Sequence, residues 1–345
     1  MKIVFMGTPD FSVGTLEAIL DAGHEVAAVV TQPDKPKGRG GAMQAPPVKQ
    51  TALAHGLTVW QPRRIREEGF QEQLQAVRPD AIVVVAFGQI IPRSILELPK
   101  YGCINVHASL LPKYRGAAPI QWAVIDGEEV SGVTVMRMDE GVDTGDMLAK
   151  RVVPLAEDET GGSLFEKLSA AGAELLTETL RRLEDGTVCP EKQPAESPTA
   201  YARMITKEDG RIDWSRDAVG LERLVRGLNP WPSAYTKLNG KTLKIWKAAV
   251  SGAGPAASEA ETGEAEAAPF SPRVRIGVAP AAGVAGTKAE GPVPGTVTEV
   301  TRDWFTVQTG DGALRILEVQ LEGRKRMDAA SFLRGCPLEE GARLG

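Results

Sequence analysis

Three residue types in one stretch of the chain could together move an acyl group. From Cys103 to Asp146 the sequence reads CINVHASLLPKYRGAAPIQWAVIDGEEVSGVTVMRMDEGVDTGD. It holds an amide at Asn105, an imidazole at His107, and carboxylates at Asp139, Glu140, Asp143 and Asp146. An amide N–H can polarise a carbonyl. An imidazole can move a proton or stabilise a developing oxyanion, and a carboxylate can orient and charge the imidazole. The apolar run from Gly102 to Val106 leads into a loop punctuated by Pro112, Gly116 and Pro119, as a buried strand does at the end of a parallel sheet. Side chains alternate along a strand, so Asn105 and His107 share a side. Cys103 precedes them and reads as core, not as a nucleophile. The carboxylates lack the spacing of a calcium loop, and no metal is expected.

The elements around this stretch read as an α/β sheet domain. Lys2 to Met6 forms a first strand, Val13 to Ala22 a helix with Asp10 or Ser12 as cap, and Glu25 to Val30 a second strand; Gly23 suits the helix stop. This β-α-β start is Rossmann-like, but Gly7 is followed by Thr-Pro-Asp, so the dinucleotide fingerprint is missing and no dinucleotide is expected. Further strands are expected at Leu57 to Trp60 and, from its β-branched run, at Ala81 to Ala86. FGQIIP follows the latter, on the ligand edge beside the Asn105 strand. Gly132 to Met138 and Met147 to Pro154 complete the sheet. Ser163-Leu-Phe-Glu166 has the form of a capping box, opening a scaffold helix with Leu164, Leu168, Ala171, Leu175 and Leu183 on one face. His24 and His55 read as capping or surface residues.

The chain has 345 residues, which suits two domains. The Pro-rich CPEKQPAESPT from Cys189 to Thr199 marks the junction, giving a Rossmann-like domain at 1–188, a linker at 189–202 and a second domain at 203–345. With 42% apolar and 25% charged residues the protein reads as globular; three scattered cysteines point to a reducing cytoplasm. No leader or membrane-length apolar run opens the sequence. A net charge of −5 excludes a global basic field, so a nucleic acid would need local patches. Residues 203–250 supply one, with ten Lys/Arg against five Asp/Glu, interleaved with Trp231, Tyr235 and Trp246. The turn signal Asn239-Gly240 and the strands expected at Gly295 to Val300, Trp304 to Thr309 and Ala313 to Val319 suit an OB-like β-barrel. A second candidate patch is the loop from Thr31 to Lys49, which carries Lys35, Lys37, Arg39 and Lys49 and whose prolines and glycines are expected to exclude regular structure. Residues 251–294, rich in Ala, Gly, Pro and Glu, read as a flexible insertion without catalytic duty.

The 105–146 stretch resembles the folate-dependent formyltransferases, whose catalytic Asn, His and Asp stand at the positions of Asn105, His107 and Asp143. SLLPKYRGAAPIQWAV is similar to their folate-site loop and following helix. The resemblance runs from KIVFMGTPDFS to DGRIDW and LNPWPSAY, and within the family it is to the branch that formylates methionyl-tRNA. It implies transfer of the formyl group of 10-formyltetrahydrofolate to the α-amine of methionine on initiator tRNA. It also implies folate contacts from Phe87, Gly88, Ile91, Ser109, Leu110, Leu111 and Pro112. Contacts to tRNA would come from Lys35, Lys37 and above all Arg39, and from a C-terminal tRNA-binding barrel, in a monomer that needs no metal. The long segment 251–294 departs from the family pattern. Two other functions compete. A formyltransferase or hydrolase with a different acceptor leaves the Arg39 loop and basic second domain without a reason. A non-catalytic nucleic-acid binder leaves the intact trio without one.

Overall fold

Runs of β-branched and aliphatic residues without polar alternation are strands covered on both faces. In the computed structural model, which describes residues 1–37, 42–252 and 292–345, such strands build the first half of the chain. β1 (Lys2–Gly7), α1 (Val13–Asp21) and β2 (Glu25–Val30) open it as a β-α-β unit. A hairpin of β3 (Lys35–Lys37) and β4 (Ala42–Gln44) follows, then α2 (Pro47–Ala54) and the short β5 (Val59–Trp60). α3 (Glu68–Val77) leads to β6 (Ala81–Val85), and α4 (Arg93–Leu96) to β7 (Cys103–His107). α5 (Pro119–Asp126) precedes the antiparallel pair β8 (Val130–Arg137) and β9 (Met147–Pro154), and α6 (Gly161–Glu184) closes this half.

The sheet order is β5-β2-β1-β6-β7-β8-β9, parallel from β5 to β7. The winding reverses between β1 and β6, the switch point where such sheets take ligands. On one face Phe5, Val83, Ile104 and Val106 pack against Leu16, Val48, Leu168 and Leu176 of α1, α2 and α6. On the other, Met6, Ile82, Val84 and Cys103 pack against Phe70, Leu74 and Ile95 of α3 and α4.

The second half comprises α7 (Ala218–Gly227), β10 (Ala234–Leu238), β11 (Lys241–Val250), β12 (Val297–Val300), β13 (Phe305–Gln308), β14 (Ala313–Leu321), β15 (Met327–Asp328) and α8 (Ala329–Gly335). Its six strands form an antiparallel sheet around Leu243, Phe305, Ile316 and Phe332. Asn239 and Gly240 both have positive φ, at 49° and 77°, as a tight hairpin turn requires. The tail curls the sheet round: Val297 N–H donates to Ala342 O, Leu344 N–H to Gly295 O, and Gly345 N–H to Lys237 O. α5 crosses between the halves, because Ala118 and Ile125 belong to the second core and α5 packs on α7.

Several sequence expectations need correction. Ser12 stands at the N-cap of α1 but makes no side-chain capping hydrogen bond; its hydroxyl instead donates to Val85 O at 2.6 Å, tying the helix start to β6. The capping box of α6 lies three residues earlier than expected. Thr160 is the cap and Ser163 its reciprocal partner, so a Ser takes the place usually held by Glu. The Thr31–Lys49 segment is not free of regular structure. Pro36 sits in the β3–β4 hairpin, a two-stranded ribbon that tolerates a missing N–H, and Pro47 starts α2, where the missing N–H costs nothing. Most of the 251–294 insertion, residues 253–291, lies outside the described residues.

The halves meet closely where α6 begins. A Cβ on Gly161 would lie 2.4 Å from the Gly227 carbonyl oxygen. Gly161→Ala is therefore expected to destabilise by about 1–3 kcal/mol through overpacking. An unhindered Gly→Ala change would instead stabilise by about 0.4–1 kcal/mol. Urea unfolding of the two proteins reads the sign directly.

Candidate active site

β7 is buried along its whole length, between parallel β6 and antiparallel β8. Val84 and Met136 flank Asn105 in register, and Thr134 pairs with His107. Alternation turns Cys103, Asn105 and His107 toward the α3/α4 side of the sheet. Cys103 is still under helical cover there, with its thiol 3.7 Å from Ile95 O. Farther along, Leu111 joins Met136 and Met147 in a small cluster that brings the loop after β7 onto the same side. Asn105 and His107 are 8% and 6% exposed. The Asn105 amide makes no hydrogen bond to the described residues and is not sealed from solvent, so it is available to a ligand.

His107 is held at one ring nitrogen and faced by a carboxylate at the other. Its Nε2 lies 3.0 Å from Tyr114 O, and since a carbonyl only accepts, Nε2 carries the proton. Tyr114 presents that carbonyl from a left-handed backbone, φ 56°, anchored by its hydroxyl, which is shared between Asp126 and Glu128. Burial, then those two carboxylates, push the Tyr114 hydroxyl far above its ordinary pKa, so it remains a donor. On the other side Asp143 Oδ1 lies 3.6 Å from His107 Nδ1, too long for a hydrogen bond. Asp143 Oδ2 accepts the Gly116 N–H at 2.9 Å. Gly116 has φ +126°, and a Cβ there would lie 2.6 Å from Ala202 O, so a glycine is required for this approach.

Among the described residues, Asp143 is the member of the carboxylate cluster that meets the imidazole. Asp139 accepts from Gly141 N–H and the Thr144 hydroxyl within its own loop. Sequence reasoning missed Tyr114 and Gly116, because both act through backbone atoms. Tyr114 carries no signal of its own in the loop, and Gly116 reads as ordinary turn punctuation in YRGAAP.

The expected folate residues fall into two groups. Phe87, Ile91 and Leu111 are buried apolar wall, whereas Gly88 is exposed with φ +84°. Leu110 and Pro112 are half-buried, and a Cβ on Gly132 would lie 2.5 Å from the Leu110 side chain. Ser109 is fully buried and its hydroxyl is engaged by Lys113 O at 2.6 Å. Phe87 O, just past β6, gathers the Thr8 hydroxyl and the Gln32 amide, each at 3.2 Å, at the switch point. Gln89 accepts the Ile65 N–H, while its Nε2 is buried without a partner.

Of the basic loop, Lys35 is exposed, and Arg39 and the Lys37 side chain lie outside the described residues. Lys49 bonds Asp34 at 2.9 Å and Gln61 at 2.8 Å. The Gln61 and Lys49 hydrogen bonds hold the Asp34 carboxyl below its usual range. In the second half Trp231 is 54% exposed, but Trp246 lies under Lys244 and Arg326, at 5.6 and 4.7 Å. Among the described residues no cluster of His, Cys, Asp or Glu could hold a metal, and no helix is long and apolar enough to cross a membrane.

The chain matches two family models, "Formyl transferase" over residues 1–180 and "Formyl transferase, C-terminal domain" over residues 204–337. A methionyl-tRNA formyltransferase of Agathobacter rectalis is 57% identical over 342 residues, covering 99% of each chain. One from Geobacter metallireducens is 48% identical over 345 residues, covering 100% of this chain and 99% of its own. Among solved structures, an N-formyltransferase from Helicobacter canadensis, crystallised with folinic acid and dTDP-3-aminofucose, shares the fold at TM-score 0.61 and 18% identity, over 92% of this chain and 98% of its own. HypX from Aquifex aeolicus, bound to tetrahydrofolic acid, does so at TM-score 0.57 and 19% identity, over 96% of this chain and 47% of its own.

Burial pushes the Cys103 thiol up to about 12, which removes it as a nucleophile, whereas Cys189 is exposed. A thiol-reactive dye at pH 8 is expected to label Cys189 on the native protein and to reach Cys103 only after unfolding. Peptide mapping of the labelled protein checks this.

Proposed function

The chain belongs to the formyl transferase family, and we propose that its reaction moves the formyl group of 10-formyltetrahydrofolate to the α-amine of methionine esterified to initiator tRNA. The product is N-formylmethionyl-tRNA, the initiator of translation. One observation carries this reading: the match to enzymes named methionyl-tRNA formyltransferase runs unbroken through both halves. The Helicobacter canadensis N-formyltransferase, at 18% identity, is alike in fold alone.

The residues suit a folate. Phe87 and Ile91 offer apolar wall, the open backbone at Gly88 leaves room for a flat ring, and the unpartnered Gln89 amide offers a donor. When bound, 10-formyltetrahydrofolate supplies the formyl carbon and the nitrogen that departs. Asn105 donates its free amide N–H to the formyl oxygen as that oxygen gains charge. His107 faces the same oxygen through Nδ1, because its Nε2–H is given to Tyr114 O, and Nδ1 donates to that oxygen only in the doubly protonated ring. Asp143 stands beside the imidazole and, through a water, takes the proton released as the amine attacks and returns it to the departing nitrogen. A new C–N bond forms at the amine and the old one breaks, so the attacking amine is the only nucleophile required.

This reading is of a monomer, working in the cytoplasm where initiator tRNA is charged. Residues 1–188 hold the chemistry, 189–202 connect, and 203–345 grip the tRNA with Trp231 and the surrounding basic residues. Lys35, Lys37 and Arg39 hold the acceptor end.

Asn105→Ala, His107→Ala and Asp143→Ala are each expected to lower kcat by about 10²–10⁴-fold with near-native melting. Formylation of initiator methionyl-tRNA, compared with glycinamide ribonucleotide, a nucleotide sugar and water as acceptors, checks both the trio and the acceptor. A His107 variant with wild-type kcat would refute this mechanism.

Arg39→Ala is expected to raise KM for tRNA and to flatten the log–log salt dependence of tRNA binding by about one unit. Folate binding should stay unchanged. Kinetics over a salt series tests this, and an unaltered slope and KM would remove Arg39 from the interface.

A further inference from the structure

The Asp143 backbone occupies the left-handed region, φ 55°, which among non-glycine residues Asp and Asn adopt most readily. A hold on this turn comes from far along the chain. The Gln193 side chain reaches the turn and its Nε2 donates to Asp143 O at 2.9 Å and to Gly145 O at 2.8 Å, so both amide protons span the turn. Its Oε1 accepts Arg115 Nε at 3.0 Å and Nη2 at 2.9 Å. Flipping the amide would point its protons at a guanidinium and its oxygen at two carbonyls, so a single orientation is possible. Arg115 is 8% exposed, and its other N–H groups reach Pro194 O at 2.7 Å and Ala195 O at 3.1 Å.

The same segment also governs the other contacts of the site. Arg115 precedes Gly116, whose N–H holds the Asp143 carboxylate, and Arg115 O accepts the Ala202 N–H at 2.8 Å. Thr199 Oγ1 accepts the Tyr114 N–H at 2.7 Å, and Tyr114 O holds His107. A connector needs only to span a distance. This one, with Pro194, Glu196 and Pro198 exposed, directs a saturated amide at the Asp143 turn instead.

We propose that Gln193, locked by Arg115, is a positioning residue that sets the Asp143 turn, so that formyl transfer depends on the seating of the 193–202 segment. This rests on the functional reading above. Gln193→Met keeps the length but removes donors and acceptor. Gln193→Glu keeps the acceptor for Arg115 and sets an oxygen against the two carbonyls. Both are expected to lower kcat by about 10–100-fold, as a shift of about 1 Å would, with KM for both substrates nearly unchanged. In an Asp143→Asn background, Gln193→Met should add less than about twofold, because the two act as one unit. Hydrogen exchange should accelerate in peptides covering 113–118, 139–147 and 193–202 and not elsewhere. If Gln193→Met fails to fold, Gln193→Asn, one methylene short, carries the same comparison.

Unchanged kcat, a loss that multiplies fully with Asp143→Asn, or unchanged exchange in those peptides would overturn the proposal. A wild-type protein that does not formylate methionyl-tRNA overturns the functional reading instead, and the exchange measurement then decides the positioning on its own.

Discussion

One imidazole is held at Nε2 and faced by a carboxylate at Nδ1, and much of the local architecture serves that arrangement. A backbone carbonyl takes Nε2 of His107 and a carboxylate stands near Nδ1. The carbonyl is available because Tyr114 turns into a left-handed conformation, braced by two carboxylates behind its hydroxyl. The carboxylate is available because the loop between β8 and β9 folds back along the sheet to a second left-handed turn at Asp143. Two loops from different connections thus converge on one ring. The ring can reach a substrate through one edge only, which gives the site a direction as well as a composition.

The strands were legible from sequence wherever burial on both faces left unbroken aliphatic runs. β2 and β9 coincide with the expected segments, and β7 was placed within a residue. The pairing of Asn105 with His107 followed from period-two alternation, which a strand cannot evade. The contacts made by backbone atoms could not be read. Neither the Tyr114 carbonyl nor the Gly116 amide has a side chain that announces it, and both depend on the 199–202 segment, over eighty residues away. The hairpin around Pro36 and the cap at Thr160 were misread because proline and serine each serve several local structures, and tertiary context selects among them.

Charge told less than it promised. The basic excess of residues 203–250 is partly neutralised in place: Arg203 meets Asp209, and Arg226 meets Glu222 at 2.6 Å. The Arg203 hydrogen bond, the largest cause, holds the Asp209 carboxyl well below the usual carboxylate range. Lys244 is laid over a tryptophan ring. What remains for a polyanion is a smaller, more specific set of cations than a count suggests, consistent with a chain whose net charge is −5.

α5 begins at Pro119, directly after the loop that carries Gly116, yet Ala118 and Ile125 pack into the core of the second half beside Leu221 and Val225 of α7. The border along the chain and the border in space therefore do not coincide. For modular inheritance this matters. A lineage that exchanged the second half for another module would leave the helix after the Gly116 loop facing a foreign surface. Such an exchange succeeds only if the newcomer brings a matching helix, so the two halves are bound to diverge together.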